Sequence, residues 1–229
     1  MRKIIEKNKY LKRIMDILLC NRFYGYPGYS MRKFARRISA MVPEKAKILD
    51  AGAGECAYRI YFSHADYISQ DLCVGDPCWD FSQIDIKSDI YNIPVEKNSF
   101  DFILCMEVLE HLRYPDRAFQ EFSRILKPEG KLFLVCPLIW GEHQKPHDYF
   151  RYTQFALKSL ASEYGFETAE IKKQGGKFIV LNLLLTGIGP SFFAERNFVN
   201  IGRLFQIVFY PIIFPFTFIF GIFIFSICS

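Results

Sequence analysis

The sequence predicts a doubly wound α/β fold with a mostly parallel sheet, preceded by basic helices and followed by an apolar tail. Three observations predict it. Residues 48–59, ILDAGAGECAYR, join an apolar run to a glycine-bearing loop. A second acid, Asp71, ends the next extended run, YISQD, about twenty residues after Asp50. Strand-like and helix-like segments then alternate, the pattern of a parallel sheet. With 229 residues and 51% hydrophobic content, the chain can bury one such core with sequence left over.

The lead comes first. Ile4, Ile5, Leu11, Ile14, Met15, Leu18 and Leu19 recur at helical spacing between charges, so residues 2–20 read as a basic amphipathic helix. The first forty residues hold eleven Lys or Arg against Glu6 and Asp16, a balance of +9, while the net charge of the whole chain is +5. Such a lead suits an anionic membrane surface, nucleic acid or a solvated helical face. No RNA-binding signature accompanies it, so nucleic acid is not the expected partner. The apolar run 17–20 is too short for a secretory signal peptide. The turn-rich YGYPGYS follows, then a second basic helix over 31–41 that leads to Pro43.

Strands are expected at about 46–50, 66–70, 84–87, 100–105 and 130–136. Asp50 ends the first strand. Gly52 and Gly54 let the backbone turn tightly and approach a ligand, and a helix is expected from about Glu55. Asp71 ends the second strand, where an acid can hold the ribose hydroxyls of a nucleoside. A pyrophosphate at the helix N-terminus would be repelled by Glu55, which disfavours a dinucleotide. S-adenosylmethionine has no phosphate, and its ammonium and sulfonium tolerate acidic neighbours.

ILDAGAG, YISQD, SDIYNIPVEKNSFDFILCMEVLEHL and EFSRILKPEGKLFLVCP resemble the successive motifs of the class I S-adenosylmethionine-dependent methyltransferases. The resemblance covers about residues 46–175. Cys56 stands where the family has a third glycine. The resemblance implies that Asp50, Gly52, Gly54 and Asp71 bind the cofactor. It also implies that Asp89 meets the adenine amino group, that Ile90 lies against the ring, and that Met106 and Glu107 sit near the methionyl end. Helices before the first strand would cover the cofactor, and Tyr24, Tyr26 and Tyr29 would line the substrate side or simply pack. For Glu107 and His111 the alternative is helix capping and loop structure.

The segment EHQKPHDYFRYT, residues 142–153, is similar to a subgroup often found among bacterial and archaeal cell-surface polysaccharide functions. Methyl transfer is an in-line displacement, so alignment in a dry pocket can supply most of the rate and a base is optional. For a hydroxyl acceptor, His147 is the candidate base, with Asp148 to orient its ring and Arg151 to bind an anionic group. The alternative is that His147, Asp148 and Arg151 lock the loop to the following helix, with Thr153 as N-cap. No metal is expected: Cys73 and Cys78 lack a second pair, and for Glu142, His143 and His147 Pro146 breaks the helix that an i, i+4 histidine pair would need. The seven cysteines, an odd number, read as reduced thiols.

A helix over 153–164 and an edge strand over 166–173 close the expected core. Gly175 and Gly176 then begin either a seventh strand or an apolar helix to Leu185, the helix being preferred. Residues 204–228 carry no charge, and twenty-five residues exceed the roughly 20 that cross a bilayer. Four segments follow: a basic lead 1–42, a methyltransferase core 43–176, an apolar extension 177–203 and a membrane segment 204–229. The expected function is methyl transfer from S-adenosylmethionine to a small or lipid-linked acceptor on the cytoplasmic side of a membrane. The alternatives are a nicotinamide-dependent oxidoreductase, an RNA methyltransferase and a non-catalytic cofactor-binding module.

Overall fold

Five parallel strands form one sheet in the order β3-β2-β1-β4-β5, so the chain starts at the centre and winds out to each side in turn. The structure, a computed structural model, describes residues 25–75 and 79–175. The strands are β1 (Lys47–Ala51), β2 (Asp66–Asp71), β3 (Ile86–Lys87), β4 (Phe100–Met106) and β5 (Leu126–Val135). Helix α1 (Gly25–Ser39) precedes them, α2 (Pro115–Ile125) joins β4 to β5, and α3 (Gln154–Glu163) follows. Pro27–Ile171 form one compact unit. The basic helix expected over 31–41 thus belongs with the core.

The period of two along β1 and β4 divides the core between the faces of the sheet. Leu49, Ala51, Ile103 and Cys105 pack with Phe119, Phe122 and Ile125 of α2. Ile48, Leu104 and Met106 pack with Met31, Ala35 and Ile38 of α1, together with Phe62 and Tyr67. Each face is covered by helix, as doubly wound sheets require. Helix α2 forms because Pro115 sits in its first turn and Ala118, Phe119, Phe122 and Ile125 repeat on one stripe. Thr153 caps α3, its Oγ1 accepting from Ala156 N at 3.2 Å.

Three sequence expectations need correction. No α-helix follows the β1 loop; turns lead to a single 3-10 turn at Arg59–Tyr61. Gly54 and Cys56 both have φ of 54°, and two left-handed residues in three positions stop right-handed helix from propagating. Strand β5 begins at Leu126, directly after α2, with Gly130 inside it. A Cβ at Gly130 would lie 2.8 Å from Lys127 O and 3.0 Å from Asp101 O, so close backbone approach is what demands glycine there. Residues 166–173 form no strand. Their alternation gives no apolar face, since Phe166 shares parity with Thr168 and Glu170. Phe166 instead meets Phe119 edge-on at 5.9 Å, and Glu170 pairs with Arg37.

The helix expected over 2–20, the choice between strand and helix to Leu185, the extension 177–203, the tail 204–229 and Cys78 lie outside the described residues. So do Tyr24 and the side chains of Tyr26 and Tyr29. Among the described residues, no helix is long and apolar enough to cross a membrane.

Candidate active site

The strand order reverses between β1 and β4, and the loops after β1, β2, β4 and β5 meet at the carboxyl ends of the strands. Ligands of open α/β sheets bind at such a switch point. The loop after β1 is held from below: Gly52 N and Ala53 N both donate to Gln70 O, at 2.8 and 3.0 Å. Gly52 has φ of 76°, and a Cβ there would meet Val108 Cγ2 at 2.5 Å. That glycine is required by protein packing. Gly54, also left-handed, has nothing within 4 Å of its would-be Cβ. Its bare backbone therefore faces open space at the rim.

Asp71 ties two loops together. Its Oδ2 accepts from Gly54 N at 2.9 Å and its Oδ1 from Cys73 N at 2.6 Å. Each oxygen keeps further acceptor capacity. Gln70, buried beside it, donates from Nε2 to Ser88 O at 2.7 Å, which links this rim to the Asp89 loop. Asp89 is exposed and caps its own turn, accepting from Tyr91 N at 3.0 Å. Ile90, expected against an adenine ring, is buried in the core with Leu49, Ala51 and Ile93.

Asp50 is only 2% exposed and accepts from the Tyr67 hydroxyl. Burial pushes its carboxyl from 3.8 up to about 7, with the Asp71 charge adding to the rise; the Tyr67 hydrogen bond and Arg59 oppose it. Met106 is buried at the end of β4. Glu107 follows with φ of 56°, a costly conformation for a non-glycine residue. Its carboxyl is also raised by burial, against the pull of Arg151.

The Asp50 shift predicts a pH effect. The folded state keeps a proton that the unfolded chain has released above pH 3.8, so stability falls as pH rises from 3.8 to about 7 and is level beyond. The full span is worth about 4 kcal/mol at most. Asp50→Asn, which still accepts from Tyr67, should therefore melt above wild type at pH 8, with the gap narrowing towards pH 5. Parallel melting curves across that range would show that Asp50 ionises normally.

The substrate loop departs from expectation. Asp148 does not orient His147. It receives a two-pronged hydrogen bond from Arg151, at 2.7 and 2.8 Å, and a bond from His143 N at 2.9 Å. The Arg151 guanidinium holds the Asp148 carboxyl well below the usual carboxylate range. Arg151 also donates to Trp140 O, Gly141 O and Phe150 O, so it is occupied as a loop clamp and has no fork left for an anion. His147 is exposed, with only the Tyr149 hydroxyl at 3.3 Å from Nδ1. The loop is anchored to the β4 rim where Tyr149 N donates to Glu110 O at 2.8 Å.

Sequence reasoning missed Glu110 as a site residue. It is wholly buried, and among the described residues neither carboxylate oxygen has a hydrogen-bond partner. Burial raises its carboxyl to about 8. The signal was present in MEVLEHL, where an acid recurs three residues after Glu107.

A parallel 3-2-1-4-5 sheet with a glycine turn after its central strand and an acid ending the neighbouring strand defines the class I methyltransferase fold. A family described as a methyltransferase domain matches residues 49–134. Residues 49–134 therefore match a methyltransferase domain, on the fold that the class I enzymes share, for which S-adenosylmethionine is the cofactor. A protein of Methanocaldococcus jannaschii is 46% identical over 89 residues, covering 38% of this chain and 39% of that protein. A methyltransferase-class protein of Encephalitozoon cuniculi is 31% identical over 104 residues, covering 43% and 47%. The chain thus spans less than half the length of the relatives it matches. Among solved structures, a Haloferax volcanii methyltransferase in complex with the Trm112 methyltransferase activator aligns with TM-score 0.52 at 21% identity. That alignment covers 67% of this chain and 76% of the other. A Bacillus halodurans methyltransferase aligns with TM-score 0.50 at 17% identity, over 60% and 69%. These similarities are of fold.

Proposed function

We propose that this chain transfers a methyl group from S-adenosylmethionine to a small or lipid-linked acceptor at the cytoplasmic face of a membrane. The observation that carries the cofactor half is the Asp71 carboxylate, clamped between Gly54 N and Cys73 N beside a bare glycine backbone. The residues present suit this cofactor: Asp71 for the ribose hydroxyls, Asp89 for the adenine amino group, and Asp50 with Glu107 as acidic surroundings for a cationic methionyl end. Asp71 and Asp89, with exposed Glu55, would repel a pyrophosphate. When bound, the cofactor supplies an electrophilic methyl group on sulfur. The protein's part is to hold the acceptor in line and to exclude water.

Among the described residues His147 has no carboxylate partner, which favours alignment over base catalysis. His147→Ala is expected to lower kcat by less than about tenfold. A loss of a hundredfold or more, the scale of a general base, would restore His147 to the chemistry.

Support for the membrane comes from the sequence. Residues 204–228 are uncharged and preceded by Arg196 and Arg203, and the lead carries a +9 balance. A variant ending at Asn200 should lose most membrane association yet still bind S-adenosylmethionine. Full-length protein that stays in the supernatant without detergent would remove the membrane reading, and the lipid-linked acceptor with it. The acceptor is tested by incubating the enzyme with methyl-labelled S-adenosylmethionine and separate lipid, glycan and RNA fractions. Label in the lipid or glycan fraction is expected. Label in RNA alone would make this an RNA methyltransferase, and label nowhere despite cofactor binding would leave a binding module.

A further inference from the structure

Glu110, His111 and His143 place one carboxylate oxygen and two imidazole nitrogens within 4.8 Å of one another. His111 Nδ1 lies 2.6 Å from the His147 carbonyl oxygen, so Nδ1–H donates and the other nitrogen, Nε2, is left as a lone pair. That Nε2 is buried with no hydrogen-bond partner among the described residues. It faces Glu110 Oε1 at 3.8 Å, beyond hydrogen-bonding distance. Glu110 is 0% exposed, and both of its oxygens are likewise without a partner. His143 Nδ1 is directed at Gly141 O at 3.1 Å, which again frees Nε2. The two rings meet edge to face with centroids 4.7 Å apart.

Buried polar atoms left unpaired are costly, and a cation held between these side chains would partner His111 Nε2 and, once its proton is displaced, the Glu110 carboxylate. We propose that Glu110, His111 and His143 form a binding site for a divalent first-row transition metal ion, with Zn2+ as the candidate whose usual ligands these are. Two imidazoles and one carboxylate are the ligand set such ions take, whereas Mg2+ and Ca2+ prefer all-oxygen shells. Each histidine has its Nδ1 at a backbone carbonyl, which fixes its tautomer and leaves Nε2 free to ligate, as metal-bound histidines commonly require. Tetrahedral Zn2+ with bonds near 2 Å sets its ligand atoms about 3.3 Å apart, so closure of an ångström or so completes the site. Three protein ligands leave a position for water or another oxygen donor. The i, i+4 pair His143 and His147 had suggested no site because Pro146 intervenes. The structure instead pairs His143 with residues more than thirty positions earlier.

The test uses full-length protein stripped with a chelator and titrated with Zn2+ and Co2+ by calorimetry and absorption. One equivalent per chain is expected, with Co2+ showing visible bands of a nitrogen and oxygen shell and no thiolate charge-transfer band. His143→Ala, in an exposed loop, and Glu110→Gln, nearly isosteric, should each weaken Zn2+ binding at least about a hundredfold, with unchanged circular dichroism of the apo forms. No stoichiometric binding by the wild type, a thiolate band, or wild-type affinity in a folded His143→Ala variant would overturn the proposal.

Discussion

Gly52→Val is expected to cost the fold about 2 to 5 kcal/mol and to abolish S-adenosylmethionine binding. Two penalties add. The left-handed φ of 76° is unfavourable for any side chain and worst for a branched one, at roughly 1 to 2 kcal/mol. A Cβ 2.5 Å from Val108 Cγ2 adds overpacking of about 1 to 3 kcal/mol. Val108 stands two residues beyond Met106, so pushing it displaces the β4 rim where Glu107 lies. Gly54→Ala is the informative partner: its φ carries the first penalty, but no atom of the described residues lies in the way. It should therefore fold with modest loss and still lose cofactor affinity. Equal affinity in wild type and Gly54→Ala would move the cofactor away from this loop. Denaturant unfolding and calorimetry on the same samples separate the two effects.

Asp71→Ala should weaken S-adenosylmethionine binding by about 1 to 3 kcal/mol, the cost of unmet buried partners, which is roughly five- to a hundredfold or more. The structure enlarges the effect, because Gly54 N and Cys73 N lose their shared acceptor at the same time. Asp71→Asn distinguishes the contributions. It keeps one carbonyl oxygen for the loop, so it should fall between wild type and Ala in affinity and lie close to wild type in stability. Unchanged affinity in both variants would end the assignment of Asp71 to the ribose.

Much of the fold was legible because local signals agreed. The run Phe100–Met106 is apolar almost throughout, and only a central strand buried on both faces calls for that. Asp50 and Asp71 were found by their spacing, which records one βαβ-like step across the sheet. What failed was conformation set by single residues. A cysteine does not by itself announce a left-handed φ, yet at Cys56, together with Gly54, that φ is what replaces the expected helix with turns. In the loop 142–153 the residue types were read correctly but their pairings were not. Asp148 is adjacent to His147 in sequence, while its carboxylate turns to Arg151 and His143. The reading of these residues as a loop lock, with Thr153 as N-cap, describes Asp148 and Arg151 well. Glu110 escaped because burial at 0% exposure depends on the later loop folding back over β4, a contact that no local pattern encodes.

Calorimetry of the full-length chain with S-adenosylmethionine and, separately, with NAD decides which cofactor this rim binds. One S-adenosylmethionine site per chain is expected, lost in Asp71→Ala, with no NAD binding. Binding of NAD, or S-adenosylmethionine binding indifferent to Asp71 and Gly54, would contradict that expectation.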